Sequence, residues 1–211
     1  LFIINSRNID GWNMPLYRAL KEYASSETIP FHMPGHKMGK GILSEFAEYM
    51  PLFDVTEIPG TDNLHFPEGP IRKAQELAAG AFGADETFFL VNGSTVGIYA
   101  MILALCNPGD KLIVARDCHK SVINGMMLAG VKPVYIRPQF DGQFGIPTSV
   151  TLSELEKALA DNPDAVGVLL TRPNYYGVCS DIEKIASIVH GYGKVLAVDE
   201  AHGAHLAFEN S

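Results

Sequence analysis

The feature that most constrains this 211-residue chain is a repeated change of apolar period beyond residue 67. Ile71, Ala74, Leu77, Ala78, Ala81 and Phe82 recur at helical spacing. Pro70 stands near the start of that stretch and Gly83 just past its end, as helix termini prefer. Five short apolar runs follow, at 87–91, 112–115, 133–136, 165–170 and 195–198. Apolar runs without polar alternation read as strands buried on both faces. Helical segments lie between them near 95–105, 120–129, 151–160 and 181–190, and the third opens on Thr151-Leu152-Ser153-Glu154, a capping-box pattern. Such alternation predicts an α/β domain with a largely parallel sheet between two helix layers.

The chain before this region reads differently. Met14, Tyr17, Leu20, Tyr23 and Ala24 form one helical stripe, and residues 28–41 are rich in Gly, Pro and His. The expected division is an arm of helix and loop over 1–67 and a domain over 68–211. With 47% hydrophobic and 19% charged residues the composition is that of a soluble globular protein with a real core. A formal net charge of −8 disfavours nucleic acid and anionic membranes as partners and favours a small molecule. The opening Leu1-Phe2-Ile3-Ile4 is too short for a signal peptide or a membrane span. Cys106, Cys118 and Cys179 include no C-x-x-C pair and read as reduced thiols of a cytoplasmic protein.

In open α/β sheets ligands bind beyond the carboxyl ends of the strands, and the unusual polar residues fall there. Asn92-Gly93-Ser94-Thr95, Arg116-Asp117-Cys118-His119, Thr171-Arg172-Pro173-Asn174 and Asp199-Glu200-Ala201-His202 each follow an apolar run. Gly93-Ser94-Thr95, between a strand and a helix, could hold a phosphate on free N–H groups and two hydroxyls. The plainer alternative is that Ser94 or Thr95 caps the helix, and that Asp199 caps the one after it. Asp199-Glu200-Ala201-His202 looks like the Mg²⁺ strand of a DEAH-box helicase. Such an enzyme also needs G-x-x-x-x-G-K-[ST], and neither Gly39-Lys40 nor Gly193-Lys194 satisfies it. Asp199, Glu200, His202 and His205 could also be metal ligands, but further donors and supporting partners cannot be placed, so no metal is expected.

Six segments in order carry a resemblance. Phe31-His32-Met33-Pro34-Gly35-His36-Lys37, Gly60-Thr61-Asp62-Asn63-Leu64-His65, Asn92-Gly93-Ser94-Thr95, Cys118-His119-Lys120-Ser121, Tyr175-Tyr176-Gly177-Val178 and Asp199-Glu200-Ala201-His202-Gly203-Ala204-His205 together resemble the ornithine/lysine/arginine decarboxylases of aspartate-aminotransferase fold.

The resemblance implies a three-layer α/β domain with a mostly parallel sheet, the large domain of a fold type I pyridoxal-phosphate enzyme, present only in part. It implies pyridoxal 5'-phosphate as cofactor and decarboxylation of a basic amino acid, with a place in polyamine biosynthesis. The partners implied are that amino acid and a second copy of the chain, in a homodimer or higher homo-oligomer. Carried over by position, Gly93, Ser94 and Thr95 would bind the cofactor phosphate and His119 would stack on its ring. Asp199 would pair with the ring nitrogen, with Ala201 and His202 close to the ring. The family's covalent lysine follows a Ser-x-His-Lys motif beyond the Asp-x-x-His segment. No catalytic residue is therefore expected within these residues, and the isolated chain is expected to be an inactive portion of a longer enzyme. An aminotransferase or another lyase of the same fold, or a non-catalytic binding protein, are the competing readings.

Overall fold

The computed structural model describes residues 57–208 together with Tyr23, Ser25, Ser26, Ile29, Ser44 and Phe46. The expected arm helix over 14–24, apart from Tyr23, and the whole 31–37 segment lie outside the described residues. The chain divides into two compact units, Leu1–Ile71 and Arg72–Ser211.

The first unit ends in a tight hydrogen-bonded turn. Asp62 sits at φ 77°, a conformation that a short polar side chain tolerates. Its carboxylate accepts the backbone N–H groups of Asn63 at 2.9 Å, Glu68 at 3.0 Å, Gly69 at 2.8 Å and Ile71 at 3.0 Å. The series skips Pro70, which has no N–H to offer. The carboxylate thereby takes the first N–H of α1, Pro70–Phe82, that of Ile71, together with those of the turn leading into it. The Thr61-Asp62-Asn63 motif thus has a local structural role.

The second unit is a three-layer α/β structure. Its elements in order are α2 (Ser94–Leu105), β1 (Lys111–Ala115), α3 (Lys120–Ala129), β2 (Lys132–Ile136), the two-residue strands β3 (Phe140–Asp141) and β4 (Ile146–Pro147), α4 (Leu152–Asp161), β5 (Ala165–Thr171), α5 (Ile182–Gly191) and β6 (Val195–Asp199). A 3₁₀ turn, Ala204–Phe208, follows. The sheet has the order β2-β1-β5-β6 with every pair parallel. In β1, Leu112 and Val114 join Ile98, Ile102, Val122 and Met126 in a core under α2 and α3. Ile113 and Ala115 face the other way, with Leu155, Leu159, Ile185 and Val189 of α4 and α5. Burial on both faces is why these strands carry no polar alternation. Thr151 caps α4 by accepting the Glu154 N–H at 3.1 Å.

Two expectations are corrected. Residues 87–91 form no strand: Phe88, Phe89, Leu90 and Val91 are exposed, and none of the described strands pairs with them. Their composition favours a strand, but a strand exists only through a ladder partner. The 133–136 run is a strand, yet β2 lies at the sheet edge and is mostly exposed, with Arg116 over the Tyr135 ring at 5.1 Å. The small β3–β4 hairpin was not anticipated.

Candidate functional site

The chain direction across the sheet sets the position of the site. From β1 the chain moves outward to β2, then crosses back to β5 and continues to β6. The connections after β1 and β5 therefore leave in opposite directions, opening a crevice at the carboxyl edge where open α/β sheets hold ligands. A cavity of about 510 Å³ lies there, a size that suits a small molecule or cofactor. All four polar segments border it. Gly93, Ser94, Thr95, His119, Asp199, Ala201 and His202 line it together, joined by Asp117, Cys118 and Ser121, and by Thr171, Pro173 and Tyr175.

Each wall has a local cause. Gly93, at φ 71°, is the N-cap of α2, and no side chain caps that helix. Ser94 and Thr95 are its first two residues rather than its caps, so the simple capping alternative does not describe them. Asn92, also at positive φ (65°), completes the turn. With no side-chain cap, the start of α2 is of the kind that favours an anion.

Asp199 closes β6 opposite Thr171 of β5 and is only 6% exposed. Its Oδ1 accepts the Ala201 N–H at 3.2 Å. A turn and then the 3₁₀ segment follow it, not an α-helix, so it is not an α-helix cap either. The next residues are tied to the neighbouring loop: Arg172 bonds Glu200 at 2.9 Å, and the Arg172 N–H donates to the Asp199 carbonyl at 2.9 Å. Gly203 has to be glycine, because a Cβ there would meet the Arg172 carbonyl oxygen at 2.7 Å. Thr171 Oγ1 is buried with no hydrogen-bond partner among the described residues.

Asn174 organises the loop that brings Pro173 and Tyr175 to the cavity. Its Nδ2 donates to the carbonyls of Pro147 at 2.9 Å and Thr148 at 3.0 Å. Its Oδ1 accepts the N–H groups of Tyr176 and Val178, both at 3.0 Å. This fixed loop presents Tyr175, 90% exposed, at the cavity. The sequence places Asn174 in one of the polar segments at the sheet edge but assigns it no role, although its bond to the N–H two residues on is an Asx turn.

Burial pushes the Asp117 carboxyl above the usual carboxylate range. The Cys118 thiol is pushed up by burial first and by the nearby Asp117 second. Among the described residues no three His, Cys, Asp or Glu side chains converge as metal ligands would.

Residues 14–211 match the family model for the Orn/Lys/Arg decarboxylase major domain. The chain belongs to this family. It is 42% identical over 200 residues to the arginine decarboxylase of Bacillus subtilis (strain 168), a match covering 93% of this chain and 41% of that protein. The chain thus spans about two fifths of the length of that relative. The solved lysine decarboxylase A from Pseudomonas aeruginosa superposes with a TM-score of 0.71 at 28% identity, covering 93% of this chain and 29% of that one. An aspartate aminotransferase from Rhodobacter sphaeroides shares the fold alone, with a TM-score of 0.54 at 18% identity over 74% of this chain and 40% of that one. The fold is that of the fold type I pyridoxal-phosphate enzymes, with a mostly parallel sheet.

Proposed function

We propose that the protein carrying this chain decarboxylates a basic amino acid, arginine, lysine or ornithine, using pyridoxal 5'-phosphate held in the cavity at the carboxyl edge of the sheet. The observation that carries the reading is the convergence of an uncapped helix N-terminus and a buried carboxylate on one cavity. The donor set suits this cofactor at both ends. The start of α2 would take the phosphate, with Gly93 allowing close approach and the Ser94 and Thr95 hydroxyls adding donors. Asp199 would face the ring nitrogen and hold a proton there by charge attraction. His119 would lie against the ring face, with Ala201 and His202 close to the ring. Bound in this way, pyridoxal phosphate supplies the electron sink for the pair left when the α-carboxylate departs as CO₂. The lysine that holds the cofactor covalently is assigned outside these 211 residues, although Lys120 borders the cavity. We further assign the protein to the cytoplasm as a homodimer or higher homo-oligomer whose amine product feeds polyamine formation.

The test is CO₂ release by the full-length protein from arginine, lysine and ornithine, with and without added pyridoxal phosphate. Cofactor-dependent release from one of the three supports the reading, and transamination without CO₂ overturns it. Asp199→Asn should lower the rate on the order of 10²-fold or more with little change in melting temperature. Borohydride reduction and peptide mapping should find no pyridoxyl group on Lys120; stoichiometric labelling there would contradict the assignment.

A further inference from the structure

His119 is the N-cap of α3, with φ −62° and ψ 150°. Histidine is not among the residues preferred there; Ser, Thr, Asp and Asn satisfy the orphan N–H groups more simply. Here the imidazole does that work. Nδ1 accepts the backbone N–H of Ser121 at 3.2 Å and lies 2.8 Å from Ser121 Oγ. A hydroxyl can turn to give or receive, but an amide N–H only donates. A proton on Nδ1 would set two N–H groups against each other, so the contact with the amide decides the tautomer. Nδ1 carries the lone pair, the hydroxyl donates to it as well, and the proton of the neutral ring sits on Nε2. Ser121 is 2% exposed and borders the cavity together with His119. Its two contacts therefore set both the plane of the imidazole and which edge carries the N–H.

We infer that Ser121 is a positioning residue that holds His119 as the Nε2–H tautomer, so that the ring presents a hydrogen-bond donor to an anionic oxygen of the ligand in the cavity. The identity of that ligand rests on the function proposed above; the tautomer does not. Using a histidine as the cap leaves the second nitrogen available, which no Ser, Asp or Asn cap could do in the same way. Nε2 has no hydrogen-bond partner among the described residues.

The test begins with the ligand-free full-length protein, ¹⁵N-labelled at histidine, studied by solid-state NMR. The signal of His119 is assigned by its loss in His119→Asn. A proton on Nε2 and a bare Nδ1 are expected, and a proton on Nδ1 overturns the inference. His119→Asn also separates the cap from contact with the ligand. Asn keeps a carbonyl for the Ser121 N–H, so the melting temperature should hold, whereas affinity for pyridoxal phosphate, read by fluorescence titration, should fall about 10-fold, or about 1.4 kcal/mol. Unchanged affinity would leave His119 as a cap alone and overturn the donor role. Ser121→Ala keeps the amide but loses the second contact, so the induced circular dichroism of bound pyridoxal phosphate should weaken; an unchanged band overturns the positioning role. If the wild-type protein binds no pyridoxal phosphate, the proposed function fails while the NMR result still decides the tautomer.

Discussion

Replacing Asn174 with Ala removes the hydrogen-bonding centre of the loop that carries Pro173 and Tyr175. Asn174 is 7% exposed and its amide makes four bonds, two as donor and two as acceptor, all between 2.9 and 3.0 Å. A hydrogen bond contributes about 0.5–1.5 kcal/mol net, and a buried group left unpaired costs more. Four such bonds total about 4 kcal/mol, reduced to about 3 kcal/mol because water can reach the side of the loop at Tyr176, which is exposed. Urea unfolding of the full-length protein should show a lower midpoint at constant slope. Asn174→Asp sharpens the test. It keeps the two acceptor roles but turns both donors into an anion facing the carbonyls of Pro147 and Thr148, so its loss should be at least as large at neutral pH and should lessen as acid restores one O–H donor. A loss below about 1 kcal/mol for Asn174→Ala would refute the claim that this amide holds the loop.

Burial raises the Asp117 pKa in the folded chain, so its ionisation opposes folding: the penalty is absent below the unfolded pKa and grows as pH rises through the folded one. Asp117→Asn should therefore raise the melting temperature at neutral pH and leave it unchanged near about pH 3; an equal gain at both would refute the cause. Gly203→Ala forces a Cβ against the Arg172 carbonyl oxygen at 2.7 Å and Pro173 Cδ at 2.9 Å, so denaturant unfolding should show a loss of about 2 kcal/mol, and a neutral variant would mean the two loops separate freely. Thr171→Val removes a buried hydroxyl that has no partner among the described residues, and should stabilise the ligand-free protein by about 1 kcal/mol in the same assay; destabilisation would reveal a partner.

Much of the second unit was legible because strands buried on both faces leave unbroken apolar runs. The runs at 112–115, 165–170 and 195–198 became β1, β5 and β6 within a residue or two. The polar loops after them were legible because nothing in a packed core explains Asp199 or His119. The run at 87–91 misled because strand composition is local while a ladder needs a partner elsewhere in the chain. Edge position, which exposed β2, is likewise a property of topology and not of the run itself. The β3–β4 hairpin is too short to leave a period. Asn174 and Ser121 stood in segments that the sequence singles out, but without a role of their own, for a shared reason: each acts through local hydrogen bonds, Asn174 to backbone groups and Ser121 to the His119 ring, which sequence pattern scarcely records.

The most direct test of the account is a crystal structure of the full-length protein grown with pyridoxal 5'-phosphate. The account predicts density with the phosphate on the N–H groups at the start of α2, touching Ser94 and Thr95, and the ring nitrogen against the carboxylate of Asp199. Cofactor bound elsewhere, or in this cavity with Asp199 engaged only by the Ala201 N–H, would contradict it.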